Sequence, residues 1–257
     1  MYFGATAHSD GVPVLNYHQI NDEAHNALTL SVEQFDAQMK YLHDNGYHAI
    51  SPMDLYLHLT EGKELPDKPV LITFDDGYID NYKNAVPILE KYGLKGTIFV
   101  ITDYLNRFPN YLTWDEAKAL NENGVLDVES HTMTHRILDE LSDAELHEEL
   151  VNSKQAIDMH LHKNVRFIAY PCGSYDIRIE KEARDAGYLA AFTVNYGLGA
   201  RHGLFDLDRI PIFGGNAHTF LRFKLRLLYA PLFSPLDRFR YRIKPDWPRL
   251  SRYMPVP

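Results

Sequence analysis

The sequence predicts an α/β fold, a distorted (β/α) barrel of seven or eight parallel strands, and three observations carry that expectation. About eight short β-prone runs alternate with about seven helical segments, which implies parallel strands joined by crossover helices. No G-x-G-x-x-G follows the first strand, so an open dinucleotide-binding sheet is not supported. The residues with chemistry to offer all fall where strands end: His18, Asp75, Asp76, His131 and the Pro171–Cys172–Gly173 turn. Barrel active sites are built on that face.

The elements follow in order. Val12 to Tyr17 reads as a first strand running into His18. Ser31 to Gln34 has the Ser-x-x-Gln capping pattern. Phe35, Met39 and Leu42 follow at helical spacing, and Gly46 stops the helix. Tyr47 to Ile50 is a short strand, and Ser51-Pro52 starts a helix with proline at the tolerated first position. Val70 to Phe74 is an apolar run that ends in Asp75-Asp76-Gly77. It reads as a buried central strand closed by a turn. Tyr82 to Tyr92 is helical, Gly96 to Ile101 strongly β-prone. Thr113 to Glu116 and Ser142 to Glu145 are capping patterns that open helices ending near Gly124 and His162. Val125 to Val128, Phe167 to Tyr170, Leu189 to Val194 and Arg209 to Phe213 complete the strands, with a helix from about Asp176.

Bulk composition narrows the class. The chain has 257 residues, 45% hydrophobic and 24% charged, which fits a globular core of barrel size. A single cysteine, Cys172, excludes an intrachain disulfide framework. No run approaches the roughly 20 apolar residues of a membrane span. Residues 1–11 lack the apolar core of a signal peptide. Either the protein is not exported or a leader lies outside this sequence. The net charge of −9 is split: nine Lys/Arg and two Asp/Glu follow residue 219, against 17 and 33 before it. The acidic body argues against nucleic acid as a partner. We divide the chain into an N-terminal extension (1–11), a barrel (12–219) and a basic, aromatic-rich C-terminal extension (220–257).

Two adjacent carboxylates at the end of a buried strand are costly to desolvate without compensation. A cation would supply it. His131-Thr132-Met133-Thr134-His135 places two imidazoles four residues apart, one face of a helical turn. With one carboxylate from Asp75-Asp76 they form a two-nitrogen, one-oxygen set. Catalytic zinc sites use that set, and so do non-haem iron sites. Each motif alone has an ordinary reading, a chance histidine pair or a capped turn. Together, each at a strand end, they favour a metal centre.

Thr73-Phe74-Asp75-Asp76-Gly77, Ser130-His131-Thr132-Met133-Thr134-His135 and Ala169-Tyr170-Pro171-Cys172-Gly173 resemble, in order and spacing, the successive motifs of the polysaccharide deacetylases of carbohydrate esterase family 4. The resemblance covers roughly Val12 to Phe213. Pro13-Val14-Leu15-Asn16-Tyr17-His18 further resembles the branch that deacetylates poly-β-1,6-N-acetylglucosamine.

The resemblance implies a metal-dependent N-deacetylase acting on an N-acetylglucosamine polymer outside the cytoplasm. Asp76, His131 and His135 would hold a divalent ion, with zinc expected and nickel or cobalt as alternatives. Asp75 would be the general base, and the backbone N–H of Cys172 an oxyanion donor. In most of the family the general acid is the histidine of a C-terminal Leu-x-His motif. Leu207 to Phe213 occupies that region without one, and the branch resemblance assigns the role to His18. Many members carry an arginine two residues before the third motif's proline, where it orients the base. Ala169 stands there, with Arg166 three residues earlier, and the orienting group is left open.

Around these motifs, Glu129 has two readings, a support for the ligand segment or an exposed strand-end carboxylate. Tyr78, Tyr111, Trp114, Tyr170, Tyr175 and Tyr196 crowd the strand ends. With Pro171, Tyr170 and Trp114 are assigned to substrate contact, since ringed side chains with polar tips suit sugar faces. The basic tail either packs across the acidic barrel or meets anionic membrane or cell wall. Chitin, peptidoglycan and 1,6-linked glucosamine all offer the same acetamide. A carbohydrate-binding pseudoenzyme is the alternative from another class, motivated by the missing arginine. An iron oxygenase conflicts with the β–α alternation.

Overall fold

The computed structural model describes residues 11–198, 203–215 and 219–230. The N-terminal extension up to residue 10 and the tail beyond residue 230 lie outside the described residues.

The strands are β1 (Val14–Tyr17), β2 (Gln19–Ile20), β3 (Thr29–Leu30), β4 (His48–Ala49), β5 (Pro69–Phe74), β6 (Gly96–Val100), β7 (Leu126–Ser130), β8 (Phe167–Ala169), β9 (Ala190–Tyr196) and β10 (Leu207–Pro211). The helices are α1 (Val32–Asp44), α2 (Pro52–Glu61), α3 (Val86–Lys91), α4 (Trp114–Asn123), α5 (Asp143–Leu161) and α6 (Ile177–Asp185), with α7 over residues 219–230. Serine and threonine caps start the helices as their sequences require. Full capping boxes form at Ser51/Asp54, Thr113/Glu116 and Ser142/Glu145. At Ser31 the hydroxyl accepts the Gln34 N–H.

Seven parallel strands close a ring in the order β1-β10-β9-β8-β7-β6-β5 and back to β1. The closing ladder pairs Val14 with Leu71, Leu15 with Ile72, Asn16 with Thr73 and Tyr17 with Phe74. All eight anticipated strands are present, and β4 pairs only with β5, outside the ring. The two-residue pair β2–β3 was not anticipated. Such short strands carry no readable alternation. The segment from Tyr82 starts with a wide π turn, Asn81–Ala85, before α3.

Every residue of β1, β6 and β10 is buried, as expected of parallel strands covered on both faces. Alternate residues feed two cores. Val14, Leu71, Phe99, Phe192 and Leu207 form one. Leu15, Ile72, Phe74, Ile98 and Val128 pack in the other, with the helices. Period-two alternation puts Asn16, Thr73, Asp75 and Arg209 on the side of the first cluster. The inner stripe of α7, Phe223, Leu227 and Ala230, joins the helix-facing core.

Candidate metal centre and active site

Because the ring strands are parallel, their C-terminal ends share one face. β5 runs out into Asp75 and Asp76, β7 into His131, β8 into Tyr170-Pro171 and β1 into His18.

Asp75 continues the ladder, its N–H donating to the Tyr17 carbonyl at 2.9 Å. The chain then reverses. Asp76 (φ 75°) and Gly77 (φ 82°) are both left-handed, a conformation that strains a residue with a side chain by roughly 1–2 kcal/mol. A Cβ on Gly77 would lie 3.1 Å from the Val100 side chain. This turn sends the two neighbouring carboxylates to different partners.

Asp75 is clamped. Arg209 of β10 reaches it with two parallel contacts, Nη1 to Oδ1 and Nη2 to Oδ2, each 2.7 Å. The Asn16 amide donates to Oδ2 at 2.9 Å. The guanidinium is itself fixed, with Nε donating to the Thr193 carbonyl at 2.7 Å and Nη1 to Thr73 Oγ1 at 3.3 Å. Both partners of the pair are buried. Burial pushes the Asp75 carboxyl up, but Arg209 and His131 outweigh it and hold the group well below the ordinary carboxylate range.

Arg209 therefore does the work sought from the third motif. Arg166, the candidate beside Ala169, is exposed; its backbone N–H donates to Glu129 at 2.8 Å and its carbonyl accepts the Leu189 N–H at 2.7 Å, both away from Asp75. The contact between Arg209 and Asp75 spans 134 residues. Its only trace in the sequence is a charged residue at the start of the short run read as a strand, Arg209 to Phe213.

Asp76 faces the histidines. Its Oδ1 lies 3.4 Å from His131 Nε2 and 3.5 Å from His135 Nε2, and the three ligand atoms lie within 4.8 Å of one another. Two donors at about 2.1 Å from a tetrahedral ion lie about 3.4 Å apart, so these distances fit a metal. His131 Nδ1 sits 2.7 Å from the Ala169 carbonyl. That contact makes Nδ1 the protonated nitrogen and leaves the Nε2 lone pair facing the cluster. Burial lowers the His131 pKa, yet the charges of Asp75 and Asp76 raise it overall. His135 is pulled down by burial and by His131.

The helical turn expected from His131 to His135 is a loop instead. Thr132 (φ 68°) and His135 (φ 61°) are left-handed. The buried carboxylate of Glu149, on α5, accepts the N–H groups of Met133 (2.9 Å) and Thr134 (2.8 Å) and the Thr134 hydroxyl. Thr132 Oγ1 accepts the His135 N–H at 3.2 Å. Side chains thus take donors that a helix would give to carbonyls. A four-residue spacing is compatible with both geometries, so the sequence could not separate them.

His18 follows β1, and its Nδ1 is buried without a hydrogen-bond partner. Burial lowers its pKa, against the opposing charges of Asp75 and Asp76. The third motif forms a tight turn, Pro171–Gly173, with Cys172 left-handed at φ 54°. A Cβ on Gly173 would lie 2.4 Å from Val194, so glycine is required there. Burial, and to a lesser degree the Asp76 charge, raise the Cys172 thiol pKa.

Other expectations are corrected. The Tyr170 ring is fully buried, stacked on Tyr175 at 5.9 Å. Beyond burial, the charges acting on it are Glu180, Arg184 and Asp206, toward α6, so the ring is core rather than substrate contact. Trp114 stacks on His160 at 4.1 Å in the α4–α5 seam. Buried Tyr196 donates to the Arg226 carbonyl at 3.0 Å, toward α7. Glu129 is neither exposed nor at the ligands. It is buried, accepts the Arg166 and Phe167 N–H groups at 2.8 Å, and receives Lys163 at 3.1 Å. It joins β7 to the start of β8. Tyr78 and Tyr111 do lie near the centre, stacked on each other at 4.7 Å, with the Asp76 charge adding to burial in raising both phenols.

Comparison with known proteins agrees with this geometry. A family model described as polysaccharide deacetylase matches residues 62–191. A Bacillus subtilis protein, YxkH, named as a polysaccharide deacetylase, is 38% identical over 205 residues, 79% of this chain and 72% of that protein. The poly-β-1,6-N-acetyl-D-glucosamine N-deacetylase of Staphylococcus aureus is 29% identical over 157 residues, 56% of this chain, and the match spans about half of that enzyme (54%). The Streptococcus pyogenes deacetylase PplD, solved with acetate, superposes with a TM-score of 0.77 at 31% identity, covering 82% of this chain and 96% of that one.

Proposed function

Since the chain belongs to the polysaccharide deacetylase family, hydrolases acting on N-acetyl amide groups, we propose that it deacetylates an N-acetylglucosamine polymer, poly-β-1,6-N-acetylglucosamine. The observation that carries the reaction is the pairing of a clamped carboxylate, Asp75, with a three-ligand cluster next to it in the chain. The strand β1 resemblance and the Staphylococcus aureus relative support the choice of polymer. The same resemblance supports a site of action outside the cytoplasm.

Asp76, His131 and His135 would hold a divalent ion, with zinc as the first expectation. A metal bound there would supply Lewis acidity to the acetamide carbonyl and lower the pKa of water. Asp75 accepts the proton of the attacking water. Its Oδ1 carries one contact and its Oδ2 two, so the spare lone pair on Oδ1 is the acceptor. A carboxylate held this far down is a weak base, which suits it to an acidified water only. Arg209 and Asn16 fix its orientation. The Cys172 N–H supports the oxyanion, and His18 delivers a proton to the leaving amine. Tyr78 and Tyr111 are placed to meet the sugar.

The pseudoenzyme reading drew on a missing arginine, and Arg209 removes that motive. Chitin and peptidoglycan are the competing substrates. The test is acetate release from all three polymers side by side, with metal analysis of the same sample. Release from the 1,6-linked polymer should dominate, stop with a chelator and return with zinc. Dominant release from chitin or peptidoglycan overturns the substrate, and polymer binding without release overturns the enzyme.

A further inference from the structure

Helix α7 carries two apolar stripes. The inner one, Phe223, Leu227 and Ala230, is buried, and Phe223 meets Tyr41 of α1 edge-on at 5.9 Å. On the opposite side Leu221 and Leu228 lie seven residues apart, two turns along one face. They are 51% and 49% exposed, with Leu225 part-buried between them. Among the described residues eleven large apolar side chains are exposed, and five of these (Phe213, Phe220, Leu221, Leu228 and Tyr229) lie on or beside this helix. Concentration of that kind, unlike scattered single residues, marks an interaction surface. At 100° per residue, Lys224 falls on one flank of the leucine stripe and Arg222 on the other. Lys224 Nζ rests 5.1 Å from the Phe220 ring centroid. No acidic residue occurs between Asp208 and Asp237.

We propose that the outer face of α7 binds an anionic lipid bilayer. The helix lies in the interface, with Leu221, Leu225 and Leu228 toward the acyl chains and Arg222 and Lys224 on headgroup phosphates. Charge decides between the possible occupants. Residues 231–257 carry six Lys/Arg against two Asp/Glu and would repel the α7 cations. A second copy paired α7 to α7 across a two-fold axis would set those cations against themselves. A soluble polyanion would satisfy the cations and leave the leucines in water. An anionic bilayer satisfies both. Each cation near such a surface contributes about fivefold to binding, and a fully inserted leucine about tenfold or more. The inference does not depend on the deacetylase reading.

The test is sedimentation of the full chain with vesicles of equal parts phosphatidylcholine and phosphatidylglycerol, or of phosphatidylcholine alone. The wild type should sediment with the mixed vesicles, less so in high salt. Leu221→Ser/Leu228→Ser should weaken binding about tenfold or more, and Arg222→Glu/Lys224→Glu at least as much. Both variants should keep the wild-type melting temperature, since these side chains leave the core intact. The proposal is overturned if neither vesicle binds, if both bind equally, or if the leucine variant binds as wild type, which would mark a purely ionic surface. It is also overturned if light scattering finds a dimer that the leucine variant dissociates.

Discussion

The two carboxylates of Asp75-Asp76 share a strand end and are compensated in opposite ways. Asp75 meets a cation of the protein, Arg209, at 2.7 Å in a buried pair. Asp76 meets imidazoles at 3.4 and 3.5 Å, too far for good hydrogen bonds and right for sharing an ion. One half is complete within the polypeptide, and the other has the geometry of a site that could hold a metal ion. A left-handed residue at position 76 lets neighbouring side chains of the same type serve these two purposes.

The largest expected effect is at Asp75. Asp75→Asn should lower acetate release about 100- to 10,000-fold while elemental analysis finds the metal retained. Asp76→Asn should lose the metal itself. If both variants lose metal, the two halves are not separate. Next, Arg209→Met leaves a buried carboxylate unpaired and should cost about 3–5 kcal/mol in urea unfolding. Arg209→Lys keeps the charge without the paired geometry, so stability should recover more than kcat does. On the other side, His135→Ala should leave the melting temperature of the metal-free protein nearly unchanged. Added zinc, which should raise that of the wild type, should then have no effect. Glu149→Gln turns one acceptor of the ligand loop into a donor, and metal affinity should fall about 10- to 100-fold.

The smallest effect belongs to a control far from both halves. Burial would raise the Asp54 pKa, but Lys63 and Ser51 hold it down to about 2. A group lowered in the folded state adds stability above its unfolded value near 3.9. That contribution is lost as pH falls from about 4 to 2. Asp54 is partly exposed, so the term should stay below about 1 kcal/mol and disappear in Asp54→Asn.

The Asp76, His131 and His135 cluster was legible in the sequence because its residues sit in local motifs at strand ends. The barrel was legible because parallel strands covered on both faces leave unbroken apolar runs such as Val70 to Phe74. The clamp was not. Arg209 joins Asp75 only through ring closure, and an arginine that follows Asp208 at the start of a strand run declares neither its burial nor its partner. The same holds for Glu149, whose role depends on how α5 packs under the ligand loop. Tyr170 misled because a tyrosine at a strand end can face the site or the helices, and one residue of register decides which.

Ring closure has a bearing on synthesis. Among the described residues β10 is the last strand to leave the ribosome, and it pairs with β1, the first. Until it docks, the growing chain already carries Asp75, Asp76, His131 and His135, with Asn16 on β1 to meet Asp75, but it lacks the guanidinium that clamps that carboxylate. The same strand that seals the barrel delivers the guanidinium, so partly made chains should be hydrolytically silent. Cells would thereby be spared a half-built enzyme with a working centre.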